Sequence, residues 1–485
     1  MDDRARIPRI AIVGGGITGL AAAHAAAAHA REIGRPVSVT LIERADRFGG
    51  NLVTRRVDDF LLDAGPDSWV ASKPQATELA RALGLGSSLV GTEDAARRYY
   101  VVWGHRMHAV PEGMVLGVPT KLTPLAFTSL FSWRGKIRMA LEPFIPARRF
   151  EGDDDESIAD FAERRLGREA AERLVAPLLA GISAGDARDL SIRAGFPQLV
   201  AMEREYGSLV RGMLASRRRR QASGASAASG FVSLKHGVEA LVVALQERLR
   251  ADGVVLRPNL SVISLAYGGR GWTLELGAED RIEADGLLLA VPADVASTLL
   301  ASLDEPAARA LATVRYASTA TVFSAYRAAD LTRPFDGAGF VVPRSVGRSV
   351  LAATWVSSKW RDRAPRGHAL IRTFFGGAKD EGALARDDEA MEQLARDELR
   401  ELMGLNARPE WSRVFRFDRA SPQMRVGHLA AMRTVRERLA RVAPSLRVAG
   451  GGYDGVGIPD CIRQGQEAGR ALVDAAPNPA SLARG

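Results

Sequence analysis

Short apolar runs that end in glycine alternate with stretches of helical spacing along this chain. Residues 10–13 form an apolar run typical of a buried parallel strand, and the alanine-rich stretch after Leu20 is typical of a helix. A second apolar run, residues 37–42, ends at Glu43. The pattern predicts that the chain opens with a strand, a glycine turn, a helix and a second parallel strand.

The same periodicities predict the remaining elements. We expect helices at 74–85, 157–179, 237–249 and 387–403, and strands at 254–256, 261–265, 319–327, 339–343, 349–355 and 369–376. Residues 273–292 are expected to form a hairpin that leads into a buried strand. The last segment repeats the order strand, glycine loop and helix, and its helix should begin near Pro459.

This order of elements predicts an α/β protein whose first domain is built from discontinuous segments. Residues 1–91, 231–300 and 440–485 should form a Rossmann-like domain, and residues 301–439 a mixed-sheet domain. Residues 92–216 should form a helical subdomain. Four arginines at 217–220, followed by small polar residues, predict a flexible basic loop over 217–230.

Composition excludes several classes of protein. A chain of 485 residues with 46% hydrophobic and 25% charged residues is typical of a globular protein of two or three units. The one cysteine, Cys461, leaves no partner for an intrachain disulfide. No apolar run reaches the roughly 18 residues of a membrane-spanning helix, and the first strand follows too soon for a signal peptide. We therefore expect a cytoplasmic protein without spanning helices.

A net charge of +9 is compatible with an anionic membrane surface, an acidic substrate or nucleic acid. The arginine block lacks interleaved aromatic residues and lies in no known nucleic-acid-binding fold, so no nucleic-acid partner is expected. None of the seven histidines stands in a triad or in metal-ligand spacing, so no metal site is predicted.

The first glycine turn has the GxGxxG spacing of dinucleotide-binding proteins. Gly14 would permit the tight turn, Gly16 the approach of a pyrophosphate and Gly19 the packing of helix on strand. Glu43 follows Gly19 at about the 20-residue spacing of an acid that binds a ribose. A ligand-free turn and a solvated carboxylate are the alternatives.

Several longer stretches resemble one known family. GGGITGLAAA followed by ERADRFGG is similar to the FAD-binding opening of amine-oxidase-like flavoproteins. DAGPDSW at 63–69, VPAD at 291–294, SPQMRVGH at 421–428 and AGGGYDGVGIPDCIRQGQEAG at 449–469 are similar to the more specific version in the oxygen-dependent porphyrinogen oxidases of haem biosynthesis. These stretches spread over almost the whole chain.

The resemblance implies FAD as the cofactor and a set of residues that hold it. It implies six-electron oxidation of a porphyrinogen to a porphyrin in three two-electron steps. In each step a hydride leaves a bridging carbon for the flavin, and dioxygen reoxidises the flavin to give hydrogen peroxide. No protein base is assigned, because the pyrrole nitrogens can drive hydride loss. The cofactor-binding residues expected are Gly14, Gly15, Gly16, Ile17, Thr18, Gly19, Glu43, Arg44, Gly50, Asn51, Gly65, Pro66, Asp67, Ser68, Val262, Gly451, Val456, Gly457 and Ile458.

The resemblance also implies substrate-binding residues. Arg98, or Arg97 if the register slips by one, matches the arginine that binds a propionate, and Gly339 and Val341 match a segment that covers the macrocycle. Ala338 stands where animal relatives have a phenylalanine, and the segment from Asn51 lacks an arginine found elsewhere, so a second propionate contact at Asn51 is in doubt.

These substitutions favour protoporphyrinogen IX as substrate. Coproporphyrinogen III is the alternative, since Arg97, Lys359 and Arg361 could accept additional propionates. An amine oxidase or a carotenoid desaturase is a further alternative.

Residues 110–138 are apolar but broken by prolines, and two interpretations stay open. The segment is either a buried helical subdomain or a face that dips into one membrane leaflet, with Lys121, Arg134, Lys136 and Arg138 against lipid headgroups. The resemblance favours peripheral contact with the inner face of the cell membrane. A homodimer is an assembly that the resemblance allows.

Overall fold

The computed structural model describes residues 7–222, 230–269, 271–277, 280–332, 334–378 and 380–477. Its strands are β1 (Arg9–Val13), β2 (Ser38–Ile42), β3 (Thr54–Val57), β4 (Phe60–Asp63), β5 (Trp69–Val70), β6 (Leu89–Gly91), β7 (Tyr100–Trp103), β8 (Arg106–Ala109), β9 (Met114–Val115), β10 (Val118–Pro119), β11 (Phe231–Leu234), β12 (Val255–Arg257), β13 (Val262–Tyr267), β14 (Trp272–Leu276), β15 (Arg281–Ala284), β16 (Gly286–Leu289), β17 (Arg315–Arg327), β18 (Gly339–Val341), β19 (Ala352–Trp355), β20 (His368–Gly376), β21 (Trp411–Gln423) and β22 (Leu446–Val448).

The α-helices are α1 (Ile17–Glu32), α2 (Gln75–Ala82), α3 (Leu122–Phe127), α4 (Trp133–Ala140), α5 (Ile158–Leu166), α6 (Arg168–Ala170), α7 (Ala176–Gly181), α8 (Ile192–Gly195), α9 (Pro197–Tyr206), α10 (Leu209–Ala222), α11 (Glu239–Ala251), α12 (Ala293–Leu300), α13 (Glu305–Ala312), α14 (Val356–Lys359), α15 (Asp388–Met403), α16 (His428–Val442) and α17 (Ile458–Ala475). A π-helical turn, Ala171–Val175, joins α6 to α7. Short 3-10 turns lie at Gly86–Ser88, Asp94–Arg97, Glu142–Phe144, Ala328–Asp330, Arg344–Val346 and Glu381–Ala385.

A five-stranded parallel sheet has the order β12-β2-β1-β16-β22. Its strands come from the three segments 1–91, 231–300 and 440–485. Both faces of β1 are covered: Ile10 and Ile12 pack with α1 and α17, whereas Ala11 and Val13 pack against α12, α13 and α16. A sheet buried on both faces explains why β1 is apolar at successive positions instead of alternating.

A seven-stranded mixed sheet has the order β21-β17-β20-β19-β18-β7-β8. Tyr100, Phe340 and Ile371 lie on its outer face, which α15 covers. Val101 and Val341 point to the opposite, inner face, and strand pairing puts Phe374 there too. The inner face meets the helical subdomain at β7 and β18.

Two predicted regions differ from the structure. The segment that includes 100–109 was expected to be helical, but β7 and β8 form a hairpin at the edge of the mixed sheet, as a run rich in valine and aromatic residues favours. The basic block was expected in a flexible loop, but α10 extends through it to Ala222, because arginine is a good helix former. Residues 223–229 of that predicted loop lie outside the described residues.

The predicted helix 157–179 is interrupted at Gly167, whose positive φ of 91° ends α5. Within the described ranges, none of the helices combines the length and the apolar character needed to cross a membrane.

Candidate functional site

The turn between β1 and α1 requires glycine at two positions. Gly14 has a φ of +105°, and a Cβ built there would lie 2.3 Å from the Ala290 carbonyl oxygen. A Cβ at Gly19 would lie 1.9 Å from the Gly14 carbonyl oxygen. Both glycines therefore serve close backbone packing, as the spacing predicts.

Gly16 lies in different surroundings. A Cβ built there would meet no atom within 4 Å, and Gly16 precedes α1 without a capping side chain. The first-turn residues Ile17 and Thr18 thus present the positive end of the helix to open space. Such a cradle suits a pyrophosphate, because a ligand can supply the acceptors that the chain does not.

Glu43 lies beside the same turn. Its carboxylate accepts hydrogen bonds from Gly15 N–H at 2.7 Å and Ala45 N–H at 2.8 Å. Its backbone oxygen accepts Leu260 N–H at 2.9 Å, which brings the start of β13 and Val262 to this edge of the sheet. Glu43 and Val262 are therefore near each other, while Arg44 is exposed to solvent.

The second glycine pair closes over the first turn. Gly49 N–H donates to Gly15 O at 2.8 Å, and a Cβ at Gly50 would lie 3.4 Å from Gly16 Cα. Arg47, which sequence reasoning missed, donates to the carbonyl oxygens of Gly50 and Leu52. The arginine therefore fixes this turn beside the start of α1.

Asn51 connects the turn to the mixed sheet. Its side-chain amide donates to Ala420 O at 3.2 Å on β21, and its carbonyl oxygen lies 1.9 Å from a Cβ built at Gly65. A side chain at Gly65 would therefore collide with the loop at Asn51, so only glycine allows the two loops to lie this close together.

Residues 64–68 form a loop that is held by cations of the mixed-sheet domain. The Ala64 carbonyl accepts a hydrogen bond from Arg372, and Asp67 accepts Lys359 Nζ at 2.7 Å and Trp360 Nε1 at 2.9 Å. Ser68 Oγ donates to Asp67 at 2.7 Å, and Pro66 is exposed. These contacts fix the loop between the two domains.

The charges in this loop are set by burial and by ion pairing. Burial alone would raise the pKa of Asp67, but Lys359 and Arg372 lower it well below its usual range. Burial lowers the pKa of Arg372 to about 10, although Asp67 opposes this shift. Both groups are charged at neutral pH, so the loop is held by the Lys359–Asp67 ion pair and by the charged hydrogen bond from Arg372 to Ala64 O. The sequence signal for Arg372, an arginine within an apolar strand, was present but not used.

A second helix start lies beside the first. Gly457 precedes α17 without a capping side chain, and Asp460 in the first turn pairs with Lys73 at 2.6 Å. Gln464 holds the preceding glycine loop by accepting Gly450 N–H and donating to Gly455 O. Gly451 lies near Pro422 and Val456, at 3.6 and 3.8 Å from a Cβ built on it.

The family-specific stretch at 421–428 supports this glycine loop from the other side. Pro422 lies near Gly451, as the 3.6 Å to a built Cβ shows, and His428 Nε2 lies 2.8 Å from the Tyr453 carbonyl oxygen. Gln423 donates to Ser183 O at 2.8 Å and links the loop to the helical subdomain. Three regions distant in sequence therefore meet at the start of α17.

Helices α1 and α17 pack closely in parallel. A Cβ at Gly465 would lie 2.2 Å from Thr18 O, and a Cβ at Gly469 would lie 2.3 Å from Ala22 O. These contacts align Gly465 with Thr18, so the first residue of α17 extends six residues beyond the first residue of α1. At 1.5 Å per residue, the two helix starts are offset along the helix axis by about 9 Å. An extended dinucleotide can thus meet one helix end with its pyrophosphate and the other with its flavin ring, as an FAD would. The sequence signal for this close packing, the two glycines Gly465 and Gly469 four residues apart, was not used in the prediction.

The predicted macrocycle residues Gly339 and Val341 lie on the inner face of the mixed sheet. Gly339 has a φ of +133°, and a Cβ there would lie 1.9 Å from Ala353 O. Val341, Thr354 and Phe374 are half-buried and form a stripe on this face. A flat apolar ligand could lie against this stripe.

Arg98 does not join this group. Its guanidinium donates to Asp336 at 2.8 Å, and Asp336 also accepts the Tyr100 hydroxyl. Tyr100 lies on the outer face, and side chains alternate along β7, so Arg98 belongs to the face opposite Val341. The other proposed cations have partners too: Arg97 pairs with Asp94, Lys359 with Asp67 and Arg361 with Glu93.

The predicted membrane segment presents large apolar side chains to solvent. Phe127 is 86% exposed, Trp133 67% and Ile137 58%, and Phe144, six residues beyond the predicted segment, is 75% exposed. Two of the four expected lipid contacts point inward: Lys136 donates to Ala126 O and Arg138 to Arg164 O and Arg165 O, each satisfying helix-end carbonyls. Lys121 pairs with Glu112, and Arg134 is exposed.

Comparison with known proteins gives a consistent result. A family model described as flavin containing amine oxidoreductase matches residues 17–473. A coproporphyrinogen III oxidase of Bacillus subtilis (strain 168) is 35% identical over 95% of this chain and 96% of its own length. The chloroplastic protoporphyrinogen oxidase 1 of Arabidopsis thaliana is 32% identical over 94% of this chain and 86% of its own. A crystal structure from Exiguobacterium sp. 255-15, provisionally assigned as a protoporphyrinogen oxidase, superposes with a TM-score of 0.83 and 32% identity over 96% of this chain and 98% of its own.

Proposed function

The chain belongs to the flavin-containing amine oxidoreductase family and, within it, to the porphyrinogen oxidases, and we propose from this membership that it oxidises a porphyrinogen to a porphyrin with FAD and dioxygen. The observation that carries the proposal is the match to porphyrinogen oxidases over nearly the whole chain. It includes the stretch at 421–428 that supports the glycine loop.

Each part of the site has a role in this reaction. FAD, when bound, would accept the hydrides and pass their electrons to dioxygen. The open start of α1 and Glu43 would hold its pyrophosphate and ribose, and the start of α17 would place positive potential near the flavin ring. The half-buried stripe of Val341, Thr354 and Phe374 would keep the macrocycle flat against the inner face. Pyrrole protons can leave to water, so no protein base is required.

We propose coproporphyrinogen III as the preferred substrate. The bacterial relative with that name is more similar to this chain than the plant relative named for protoporphyrinogen. Protoporphyrinogen IX is the second candidate, favoured by the apolar Val341 over the ring.

The test is an assay of the purified protein loaded with FAD. Porphyrin fluorescence should grow with either porphyrinogen, with three molecules of hydrogen peroxide for each porphyrin, and kcat/KM should be higher for coproporphyrinogen III. A tenfold preference for protoporphyrinogen IX, about 1.4 kcal/mol in transition-state binding, would reverse the substrate choice. Peroxide formed from simple amines but not from porphyrinogens would instead indicate an amine oxidase.

We also propose that the apolar surface formed by Leu122, Phe127, Trp133, Ile137 and Phe144 docks on the inner face of the cell membrane. The exposed Arg134 and the exposed arginines 217–219 of α10 would contact anionic headgroups. The charge of Arg217 acts on Glu112, which pairs with Lys121 beside Leu122, so the basic end of α10 lies next to this surface.

The cytoplasm remains the predicted compartment. A homodimer also stays a prediction, which sedimentation equilibrium in detergent-free buffer would test.

A further inference from the structure

Ala184 carries an unusual backbone conformation where the helical subdomain meets the mixed sheet. Its φ is +49°, a region that residues with a Cβ rarely adopt. Its carbonyl accepts Ala378 N–H at 3.0 Å and Arg344 Nη2 at 3.4 Å. A Cβ at Gly377 would lie 2.5 Å from the same carbonyl, so the two segments are pressed together. Strain of this kind accompanies functional sites more often than ordinary surfaces.

Arg344 stands at the edge of the proposed substrate face. It follows Val341 by three residues, directly after β18, and lies beside Gly377 just beyond β20. Ser183, which precedes Ala184, accepts hydrogen bonds from Ser421 and Gln423 on either side of Pro422, and Pro422 would lie 3.6 Å from a Cβ built at Gly451 of the glycine loop. Arg344 therefore lies at one end of the stripe and is linked through Ala184 and Ser183 to the segment that supports the glycine loop.

Its guanidinium is half-buried and poorly satisfied. Among the residues that the structure describes, no carboxylate lies within ion-pair distance of Arg344, whereas Arg97, Arg98 and Arg361 each have one. Burial lowers the pKa of Arg344, and the more distant charges of Asp186 and Asp380 only partly oppose this. Within the described part of the chain, this planar group with five donors makes one long hydrogen bond, to a carbonyl, which leaves donors for an incoming carboxylate.

We infer that Arg344 binds a propionate of the porphyrinogen. The inference rests on the proposed function, and it replaces Arg98 as the cation that meets the substrate. Arg344 follows Val341 by three residues and lies beside Gly377, which follows Phe374 by three, so a macrocycle lying on the stripe would place one edge, with its carboxylate arms, near this guanidinium.

The test measures binding of the product coproporphyrin III by its fluorescence, separately from turnover. Arg344→Gln should weaken binding about tenfold to a hundredfold, the effect of losing a hydrogen bond between charged groups, while flavin content stays native. Arg344→Lys should recover part of the affinity. The tetramethyl ester of coproporphyrin III should bind the native protein and both variants equally, because it has no carboxylates.

Arg327→Gln is the matched control. Arg327 is an exposed arginine paired with Asp330, and it faces His368 at the opposite end of β20, about 26 Å from Gly376 at 3.3 Å per residue. Native affinity in Arg344→Gln, or a loss confined to Arg98→Gln, would overturn the inference and leave the proposed function intact. A native protein that neither binds nor oxidises porphyrinogens would overturn both.

Discussion

Gly16 differs from its neighbours in the first turn because the chain itself does not require a glycine there. Gly14 and Gly19 face backbone atoms at distances that exclude a Cβ, whereas Gly16 faces open space at the start of α1. The spacing of the motif was enough to predict a separate role for each glycine. The structure adds that two of them shape the fold and one leaves room for a ligand.

Gly16→Val should therefore yield folded but colourless protein. A Cβ at this position meets no protein atom within 4 Å, so we expect the free energy of unfolding of the apoprotein to change little, whereas the side chain fills the space that a pyrophosphate needs. Flavin absorbance and thermal unfolding of the purified variant measure the two effects. Gly195→Val, at another glycine with open surroundings, should keep its flavin. A full flavin spectrum in Gly16→Val would exclude the cradle as the pyrophosphate site.

Arg98 shows what sequence reasoning could not determine at this scale. The arginine pair before β7 was a sound signal for a carboxylate partner, but a shift of one residue along a strand moves a side chain to the other face of the sheet. Asp94 is only three residues from Arg97, but Asp336 and Glu93 pair with Arg98 and Arg361 across more than 200 residues, which no local pattern indicates. Arg344 escaped notice because its partners are backbone atoms from distant segments.

His428 should make the stability of the fold depend on pH. Burial lowers the pKa of His428 below its ordinary value of 6.5, so the unfolded chain binds more protons than the folded protein as the pH falls through that value. Stability should therefore be lost on acidification. Between about pH 7.5 and pH 5, the Tm should fall more steeply in the native protein than in His428→Gln, which can still donate to Tyr453 O without titrating. Replacing the exposed His105 by glutamine should leave the native slope, and parallel slopes in native protein and His428→Gln would contradict this role.

At the scale of elements, two helix starts at different depths are the central feature of the cofactor site. Both helices follow strands of one parallel sheet, β1 and β22, so both present their positive ends at the same edge. Their offset comes from the glycines of α17, which set where the two helices touch. The sequence was sufficient to predict each strand, glycine loop and helix, because each is a local pattern. The offset depends on a contact between residues more than 400 positions apart and could not be predicted.

Gly465→Ala should test this contact. The added methyl group would lie 2.2 Å from Thr18 O, so the helices must separate, which we expect to cost about 1–3 kcal/mol of stability. Misalignment of the two helix ends should also weaken FAD binding. Arg470→Ala, on an exposed position of the same helix, should have neither effect. Chemical denaturation and FAD titration provide the measurements, and an unchanged FAD affinity in Gly465→Ala would show that the offset does not matter for the cofactor.

The misassigned elements share a physical cause. The hairpin β7–β8 lies within a segment otherwise rich in helices, and its membership of the mixed sheet depends on pairing with β18, more than 200 residues away. The arginines after Ser216 do not distinguish a loop from a helix, since arginine is common in both exposed loops and helices. Tertiary contacts decided both outcomes.

At the scale of the whole molecule, the candidate site lies where three regions meet. The loop at 64–68 joins β4 to β5, the mixed sheet contributes the inner face, and the helical subdomain contributes the loop at Ser183 and Ala184. Long-range ion pairs such as Lys359 with Asp67 fix these regions relative to one another. Local patterns in the sequence do not indicate which residues of these regions lie opposite one another, because those contacts join segments far apart in the chain.

The exposed apolar surface of the helical subdomain gives the molecule a second, separate face. A group that includes Phe127, Trp133 and Ile137 would be costly in water unless it is covered, and the basic end of α10 beside it provides charge of the sign that anionic lipid attracts. Both terms should contribute to membrane binding, but they respond differently to salt. The electrostatic term is screened over roughly 10 Å at 0.1 M salt, whereas the apolar term is not weakened.

Ile137→Asp should therefore reduce co-sedimentation with anionic liposomes at every salt concentration, because it removes apolar area and adds a charge that the lipid repels. Ile263→Asp is the matched control, since Ile263 on β13 is 63% exposed and Ile137 is 58% exposed, yet Ile263 lies outside this surface. Raising the salt concentration should weaken liposome binding of the native protein only in part. The binding that remains at high salt should be absent in Ile137→Asp. If neither protein sediments with anionic liposomes at low salt, the surface serves another contact; if both variants bind equally, the membrane meets the molecule elsewhere.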